Sequence, residues 1–510
     1  LGDVYKRQCM ELSFQTLPMR YLGNPIQGSQ TQEQTAEVIV PDSCPDVARI
    51  VYTSASVIVR GKECRTGSVL VSGGIRASAL CIPEDDSGAR TLESYLPFSL
   101  RIEHPGVTER TQAVVSAFVR QIDARLIHSR KILIRADLCC TAECLTAEEE
   151  TLYALSAPPK ELQTKRRTYP VSLPKETAEK SFTVTDDLTL PTGKPFASEI
   201  CCYETVPRIT DCKVVGSKAV FKGTLEVNML YLSGDGSAQT WEQQLPFSQY
   251  AELAEDYDEA SLCVTPLVSA AELTLEPSGE GRAMSLAVTL NAQCLVSGPV
   301  TMELIEDAYA VGAALEPAWT QYALACRLDC QTLRDEVRQQ LAADAEAVLE
   351  CAVYHDLPYF ERAEGKLRVR APLNMKLLYR DKDGALQGAA ARAEAACETA
   401  LCENASCAAS VCVDDCYAQP GINETELHAE VSFTLLCSAV QQLRTLSGGT
   451  LAQKTQMEPE RPSVVLRACR GDEDIWDVAK RYGTTVAAVR EANGLESGEP
   501  ERDCMLLIPM

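Results

Sequence analysis

The chain has 510 residues, of which 45% are hydrophobic, so it is long enough to bury several cores and is not a disordered protein. Its 48 lysines and arginines stand against 72 aspartates and glutamates, and the formal charge of −24 repels nucleic acid and anionic lipid headgroups. No run of about 18 apolar residues is present and the start lacks a signal-peptide pattern, which predicts a soluble, cytoplasmic protein without a membrane span.

The first residues carry little folding information. The segment before Met10 (LGDVYKRQC) shows no apolar periodicity and begins at Leu1, so we interpret the start as non-native. We assign residues 1–30 to a leader.

A sequence pattern then recurs at an offset of 150 residues. The segment 41–50 (PDSCPDVARI) returns as 191–200 (PTGKPFASEI), and 73–81 (GGIRASALC) returns as 223–231 (GTLEVNMLY). A third copy of the second segment stands at 371–379 (APLNMKLLY). A fixed period of this kind predicts related modules in tandem.

Two further features support the repeat. The tetrapeptide LPFS at 96–99 recurs at 245–248, whereas the third copy reads EAAC at 394–397; Cys144 corresponds to Cys294. We therefore divide the chain into the following segments: leader 1–30, repeat 1 at 31–157, linker 158–170, repeat 2 at 171–310, a degenerate repeat 3 at 311–450, linker 451–462, and a C-terminal domain at 463–510.

Alternating apolar and polar residues mark the repeats as strands. Apolar residues recur at every second position through 69–81, 221–231 and 367–379, which predicts strands with one buried and one solvent-exposed face. Residues 122–126 are expected to pair with 132–138 across a turn near Ser129. The fold class is mainly β, with three antiparallel β modules.

Two segments depart from this pattern. Residues 332–350 (TLRDEVRQQLAADAEAVLE) are rich in helix formers, with Leu333, Val337 and Leu341 four apart, and predict a helix. The run of Lys165, Arg166 and Arg167 in the Pro-bounded linker is interpreted either as a contact for an acidic partner or, preferably, as a solvated linker.

The C-terminal segment predicts a strand, two helices and a second strand. Asp474 is a suitable N-cap, and Ile475, Val478, Ala479 and Tyr482 follow it on one helical face. Gly483 ends the first helix; Thr485 caps the second, which stops at Asn493-Gly494. Apolar residues at 464–466 and 506–508 form the strands. This is a small βααβ domain.

The C-terminal segment resembles a LysM domain over its full length. The resemblance rests on 471–472 (GD), 475–479 (IWDVA), 482–483 (YG), Asn493 and 507–509 (LIP). One departure lies in the first loop, where Glu473-Asp474 replaces the single Thr or Ser that LysM domains usually carry. That loop forms part of the sugar groove in glycan-binding members, so its length and acidity disfavour a glycan ligand.

The repeats resemble SPOCS domains, through their PxxPD-like start, the strand ending in L-Y/C and the LPFS element. SPOCS repeats followed by a LysM domain, here over residues 31–510, are similar to the spore coat morphogenetic proteins of clostridia. The resemblance implies a scaffold at the forespore surface in the mother-cell cytoplasm. It implies a LysM domain that holds the ATPase of the coat basement layer, and SPOCS repeats that self-associate or bind other coat proteins.

We place the candidate binding face on the loop and helix ends of this domain. Trp476 lies at the edge of the apolar stripe, as a partner anchor or as a cover for the small core; the acidic loop is a contact or only a capping turn. A peptidoglycan-binding envelope protein remains the alternative function. The predicted face comprises Asp472, Glu473, Asp474, Trp476, Asn493, Gly494 and Glu496.

The sequence offers no catalytic or metal constellation. His104, His128, His355 and His428 are scattered and no nucleophile, phosphate-loop or zinc-peptidase motif is present, so we predict neither an enzyme nor a cofactor. A hydrolase would need a clustered acid–base set in the structure. The sequence 381–384 (DKDG) predicts a hairpin turn rather than a calcium loop, matching Asp235-Gly236 in repeat 2.

The 23 cysteines include no CxxC pair. Five of them fall within residues 397–416, where small buried residues are preferred over a zinc site. The resemblance places the chain in a reducing compartment, and oxidative cross-linking of that cluster in a mature coat is left open.

Overall fold

The computed structural model describes residues 9–85, 88–277, 279–363, 365–400, 405–453, 462–469, 473–495 and 504–510. Antiparallel strands dominate it, so the expectation of a mainly β protein is confirmed. In the described part of the chain, no helix has the length and apolar character that crossing a membrane requires.

The first unit consists of two three-stranded antiparallel sheets packed around one core. One sheet has the order β2-β7-β6 and the other β3-β4-β5. A short strand, β1 (Cys9–Glu11), precedes them. The six strands are β2 (Phe14–Ile39), β3 (Val47–Arg65), β4 (Ser68–Pro83), β5 (Arg90–Glu103), β6 (Thr111–His128) and β7 (Lys131–Leu155).

The same strand order returns in the second unit, as β8-β13-β12 and β9-β10-β11. Its strands are β8 (Leu162–Thr189), β9 (Ala197–Val215), β10 (Lys218–Ser233), β11 (Ala238–Glu252), β12 (Ser261–Leu275) and β13 (Ala283–Ala310).

In the third unit, β14 and β19 flank β20, and β17 lies between β18 and the two short strands β15 and β16. Its strands are β14 (Ala313–Leu341), β15 (Ala345–His355), β16 (Tyr359–Ala363), β17 (Lys366–Asp381), β18 (Leu386–Ala400), β19 (Ser406–Pro420) and β20 (Thr425–Gln453).

The three predicted alternating segments are the central strands β4, β10 and β17. Their inward residues are almost fully buried, while the intervening residues are less so, as expected for strands with one buried face. The predicted hairpin is β6 and β7, in which Ala124 pairs with Ile134 and the turn includes Ser129. These predictions are confirmed.

A glycine explains why LPFS accompanies the first two copies only. Gly73 faces Phe98 across β4 and β5, and Gly223 faces Phe247 across β10 and β11. A Cβ at Gly223 would lie 2.4 Å from the Phe247 ring and 2.2 Å from a backbone oxygen. In the third unit, Ala371 pairs with a second alanine, so the ring and the space for it are lost together.

The Asp-Gly segments are tight hairpin turns. Gly236 and Gly384 have φ values of 82° and 80°, and Gly384 donates its N–H to the Asp381 carbonyl at 2.9 Å. The Asp381 carboxylate accepts N–H groups from the turn itself. The prediction of a turn at 381–384 is confirmed.

The predicted helix at 332–350 is wrong. These residues end β14 and begin β15, and residues 332–341 pair with 425–434 of β20. Leu333, Val337 and Leu341 do share one face and pack on the core of the third unit. A spacing of four places residues on one face of a strand as well as of a helix, and cross-strand pairing overrides the helix propensity.

The structure also extends the strands beyond the repeats that the sequence outlined. Residues 14–30, assigned to the leader, belong to β2 and pair with β7, and residues 162–170 of the predicted linker begin β8. Both strands are long and carry many exposed polar residues, which hides the period of two. Residues 1–8 and most of the linker 451–462 lie outside the described residues.

The three units pack against one another around shared apolar clusters. One cluster joins Tyr21, Leu173 and Tyr322 from the first, second and third units, and another joins Tyr52, Leu230 and Leu378. Strand β1 pairs with the end of β20, which links the beginning of the described chain to the third unit.

Polar contacts cross these interfaces too. The Gln293 amide donates to the Val115 carbonyl at 2.8 Å and accepts the Val115 N–H at 2.9 Å, joining the second unit to an edge strand of the first. Arg327 of the third unit contacts Glu143 of the first at 2.7 Å. The units are therefore held together by hydrogen bonds to the backbone and by an ion pair, as well as by apolar packing.

Candidate binding face of the C-terminal module

The C-terminal module is strand, helix, helix, strand: β21 (Val464–Cys469), α1 (Ile475–Tyr482), α2 (Val486–Asn493) and β22 (Cys504–Pro509), with β21 and β22 antiparallel. Asp474 caps α1 by accepting the Trp476 N–H at 2.8 Å, and Thr485 caps α2 in the same way. Gly483 and Gly494 end the helices with φ values of 67° and 64°. Each of these capping predictions is confirmed.

The module has a small apolar core. Ile475, Val478, Ala479 and Val489 are completely buried, and Tyr482 packs at their edge. Tyr309 from β13 of the second unit belongs to the same cluster. The module therefore completes its core with a side chain from another unit.

Trp476, the predicted anchor, faces the second unit. Its side chain is only 9% exposed, and its indole N–H donates to Asp307 of β13 at 2.8 Å. The indole ring meets the Tyr309 ring edge-to-face, with centroids 4.8 Å apart. The indole is thus covered from within the chain.

Charged and polar contacts surround the indole. Lys480 bonds to both Asp307 oxygens at 2.6 Å, and Tyr309 donates its hydroxyl to the Thr484 carbonyl at 2.8 Å. Lys165 pairs with the capping carboxylate of Asp474. The preferred prediction of a solvated linker at 165–167 is therefore wrong, because these residues lie in β8 and pair with carboxylates of the chain itself. Contact of this basic run with a separate acidic partner stays a prediction.

The pKa values follow these contacts. Burial raises the pKa of Asp307, but hydrogen bonds from Lys480 and Trp476 outweigh burial, so the pKa lies below the usual value. The hydrogen bond to Asp474 raises the pKa of Lys165. Both shifts favour the charged forms of Asp307 and Lys165 at neutral pH.

The other predicted face residues support the fold of the module. Glu473 contacts Arg467 at 2.6 Å, so this carboxylate is paired. The Asn493 side chain donates to the Leu507 carbonyl at 2.6 Å and accepts the Leu507 N–H at 2.7 Å, which ties α2 to β22. Gly494 is exposed. Asp472 and Glu496 lie outside the described residues.

Sequence analysis missed the partners of this face. Asp307, Tyr309 and Lys480 carry no motif, and Asp307 is 169 residues from Trp476. The only signal in the sequence was the basic run that includes Lys165, and its partner could not be chosen among 72 acidic residues.

A second polar site lies where the three units meet. A cavity of about 30 Å³, room for one or two waters, is lined by Arg76 of the first unit, Glu204 and Asn228 of the second, and Glu350 of the third. Burial, and then the charges of Glu204 and Glu242, raise the pKa of Glu350 to about 8. The side-chain oxygen of Asn228 is buried without a hydrogen-bond partner.

Within the described part of the chain, no three or more His, Cys, Asp and Glu side chains come together in a group that could hold a metal ion. Cys402, one of the five clustered cysteines, lies outside the described residues.

Comparison with known proteins identifies one domain type. The family model described as "SipL, SPOCS domain" matches residues 197–276, which span β9 to β12 of the second unit. The chain therefore contains a SPOCS domain. No curated protein and no solved structure matches the chain.

Proposed function

We propose that this chain is a non-enzymatic scaffold for assembly of the spore coat, built from three SPOCS domains and a C-terminal LysM domain. The SPOCS match at 197–276 carries this proposal, because it supports a role connected with sporulation and the coat. The strand order of the matched unit recurs in the units at 14–155 and 313–453, which supports SPOCS domains there as well.

The proposed partner of the LysM domain is the ATPase of the coat basement layer, in the mother-cell cytoplasm. The order β21, α1, α2, β22 and the capped helices support the LysM assignment. Because Trp476 is covered by β13, a partner that uses the indole must first displace Asp307 and Tyr309. The three packed units would present the module and contact other coat proteins.

The decisive experiment measures binding of the purified full chain to this ATPase and, separately, to purified peptidoglycan. A chain ending at residue 453, after β20, is the comparison. Binding of the ATPase that disappears with the module supports the proposal. Retention on peptidoglycan without ATPase binding favours the alternative, a peptidoglycan-binding envelope protein.

Two substitutions in the full chain separate the roles of the indole. If Trp476 anchors the partner, Trp476→Ala weakens ATPase binding by more than about 1 kcal/mol. Asp307→Ala frees the indole and is expected to leave binding unchanged or to strengthen it. Equal binding by wild type and Trp476→Ala removes this face from the proposal.

A further inference from the structure

Strand β19 carries three cysteines at the edge of the third unit. Cys407 lies directly opposite Cys437 of β20, and the two Sγ atoms are 3.5 Å apart. Cys407 is partly exposed, whereas Cys437 is buried. Directly paired residues of antiparallel strands bring their Cβ atoms within about 5 Å, so small side-chain movements suffice for a disulfide bond.

We propose that Cys407 and Cys437 form a reversible disulfide that fastens β19 to β20. The oxidant is a low-molecular-weight disulfide. The Cys407 thiolate attacks it, forms a mixed disulfide and releases one thiolate. Cys437 then attacks the Cys407 sulfur and releases the second. Two protein thiols are oxidised to one disulfide, and the small disulfide is reduced to two thiols.

The surroundings favour Cys407 as the first thiol to react, because it is partly exposed; buried Cys437 reacts only in the second step, with the Cys407 sulfur 3.5 Å away. Burial raises the pKa of Cys140, Cys144 and Cys294 to about 12, so these thiols are poor nucleophiles. On β19 itself, Cys416 donates its thiol to the Cys351 carbonyl at 2.9 Å. Its interaction with the Cys351 side chain, followed by burial, raises the pKa of Cys416. Cys416 lies on the same strand but is less reactive, so its substitution serves as the control for substitution of Cys407.

The bond would secure a contact between two units. Further along β19, the Arg208 guanidinium of the second unit donates to the Val413 and Asp414 carbonyls at 2.9 Å each. Among the strands that the structure describes, β19 pairs only with β20, so it is an edge strand. Oxidation at Cys407 ties the start of this strand to β20 and so limits its separation from the second unit. The chemistry is independent of the partner that the chain binds.

The test exposes the full-length wild-type protein to oxidised glutathione, alkylates the remaining thiols and maps peptides by mass spectrometry without reduction. We expect a linked peptide pair joining Cys407 to Cys437 in wild type and in Cys416→Ser, absent from Cys407→Ser, and reversed by dithiothreitol. Amide hydrogen exchange in β19 should slow on oxidation in wild type and in Cys416→Ser, and should stay unchanged in Cys407→Ser. The proposal is overturned if both thiols stay alkylated while other cysteines oxidise, or if Cys407 stops at the glutathione mixed disulfide. Mapping the wild type decides the matter even if a variant fails to fold.

Discussion

Replacing Glu350 with glutamine should make the junction of the three units more stable at alkaline pH. Glu350 lies on β15 and lines the small cavity between the units, with Glu204 and Glu242 as acidic neighbours. Burial and these charges raise its pKa from 4.5 to about 8. The folded chain therefore holds a proton that the unfolded chain releases above about pH 4.5.

The sign and the size of the pH effect on the free energy of unfolding follow from the linkage between folding and proton binding. With the folded pKa raised, the stabilisation is complete below the unfolded pKa and is lost as the pH rises towards 8. Each pH unit costs up to about 1.4 kcal/mol, so the full window corresponds to about 5 kcal/mol. Allowing for solvent in the cavity, we halve this figure to about 2.5 kcal/mol. Glutamine mimics the protonated acid and should lose none of it.

The assay is urea unfolding of wild type and Glu350→Gln at pH 5, 6.5 and 8. We expect similar midpoints at pH 5 and a higher midpoint for the variant at pH 8. Glu346→Gln, an exposed position on the same strand, is the matched control and should follow wild type. A difference between Glu350→Gln and wild type that does not change with pH would refute the reasoning, as would a variant less stable than wild type at pH 8.

Three further substitutions test the packing. Gly223→Ala places a Cβ 2.2 Å from a backbone oxygen and close to Phe247, so the thermal midpoint should fall; an unchanged midpoint contradicts the tight approach. Gln293→Leu leaves the backbone N–H and carbonyl of Val115 in β6 without their hydrogen-bond partner, so the free energy of unfolding in urea should fall by about 2–5 kcal/mol. A decrease below about 0.5 kcal/mol would show that these two hydrogen bonds are dispensable. Burial lowers the pKa of Lys376 to about 8, so the free energy of unfolding of wild type should rise relative to that of Lys376→Met between pH 8 and 10. This pH dependence is opposite in sign to the one expected for Glu350. Parallel curves of stability against pH for the two proteins would contradict it.

The central strands could be predicted because their pattern is local. Leu373, Met375 and Leu377 alternate with polar residues, and the structure buries all three. The helix prediction failed because Leu333 and Val337 satisfy both periods, and only the pairing with β20 decides between them. That pairing is invisible in a short window.

In the candidate site, too, the local features could be predicted from the sequence and the packing contacts could not. The caps at Asp474 and Thr485 depend on neighbouring residues, and the sequence predicted them. The contact of Trp476 with Asp307 depends on how the module packs on the second unit, which no local pattern encodes. The division of the chain into domains stays a prediction, which the recurrence of one strand order in three units supports.

The pairing of β1 with β20 has a consequence for the order of folding. Residue 9 pairs with residue 452, so this ladder cannot form until the third unit has left the ribosome. Pairings between residues so distant in sequence are slow to form, because a very long loop must close. The first unit must wait for the third before its N-terminal strand finds a partner, and separation of either unit from the other breaks the same hydrogen bonds. Unfolding of the two units should therefore be coupled.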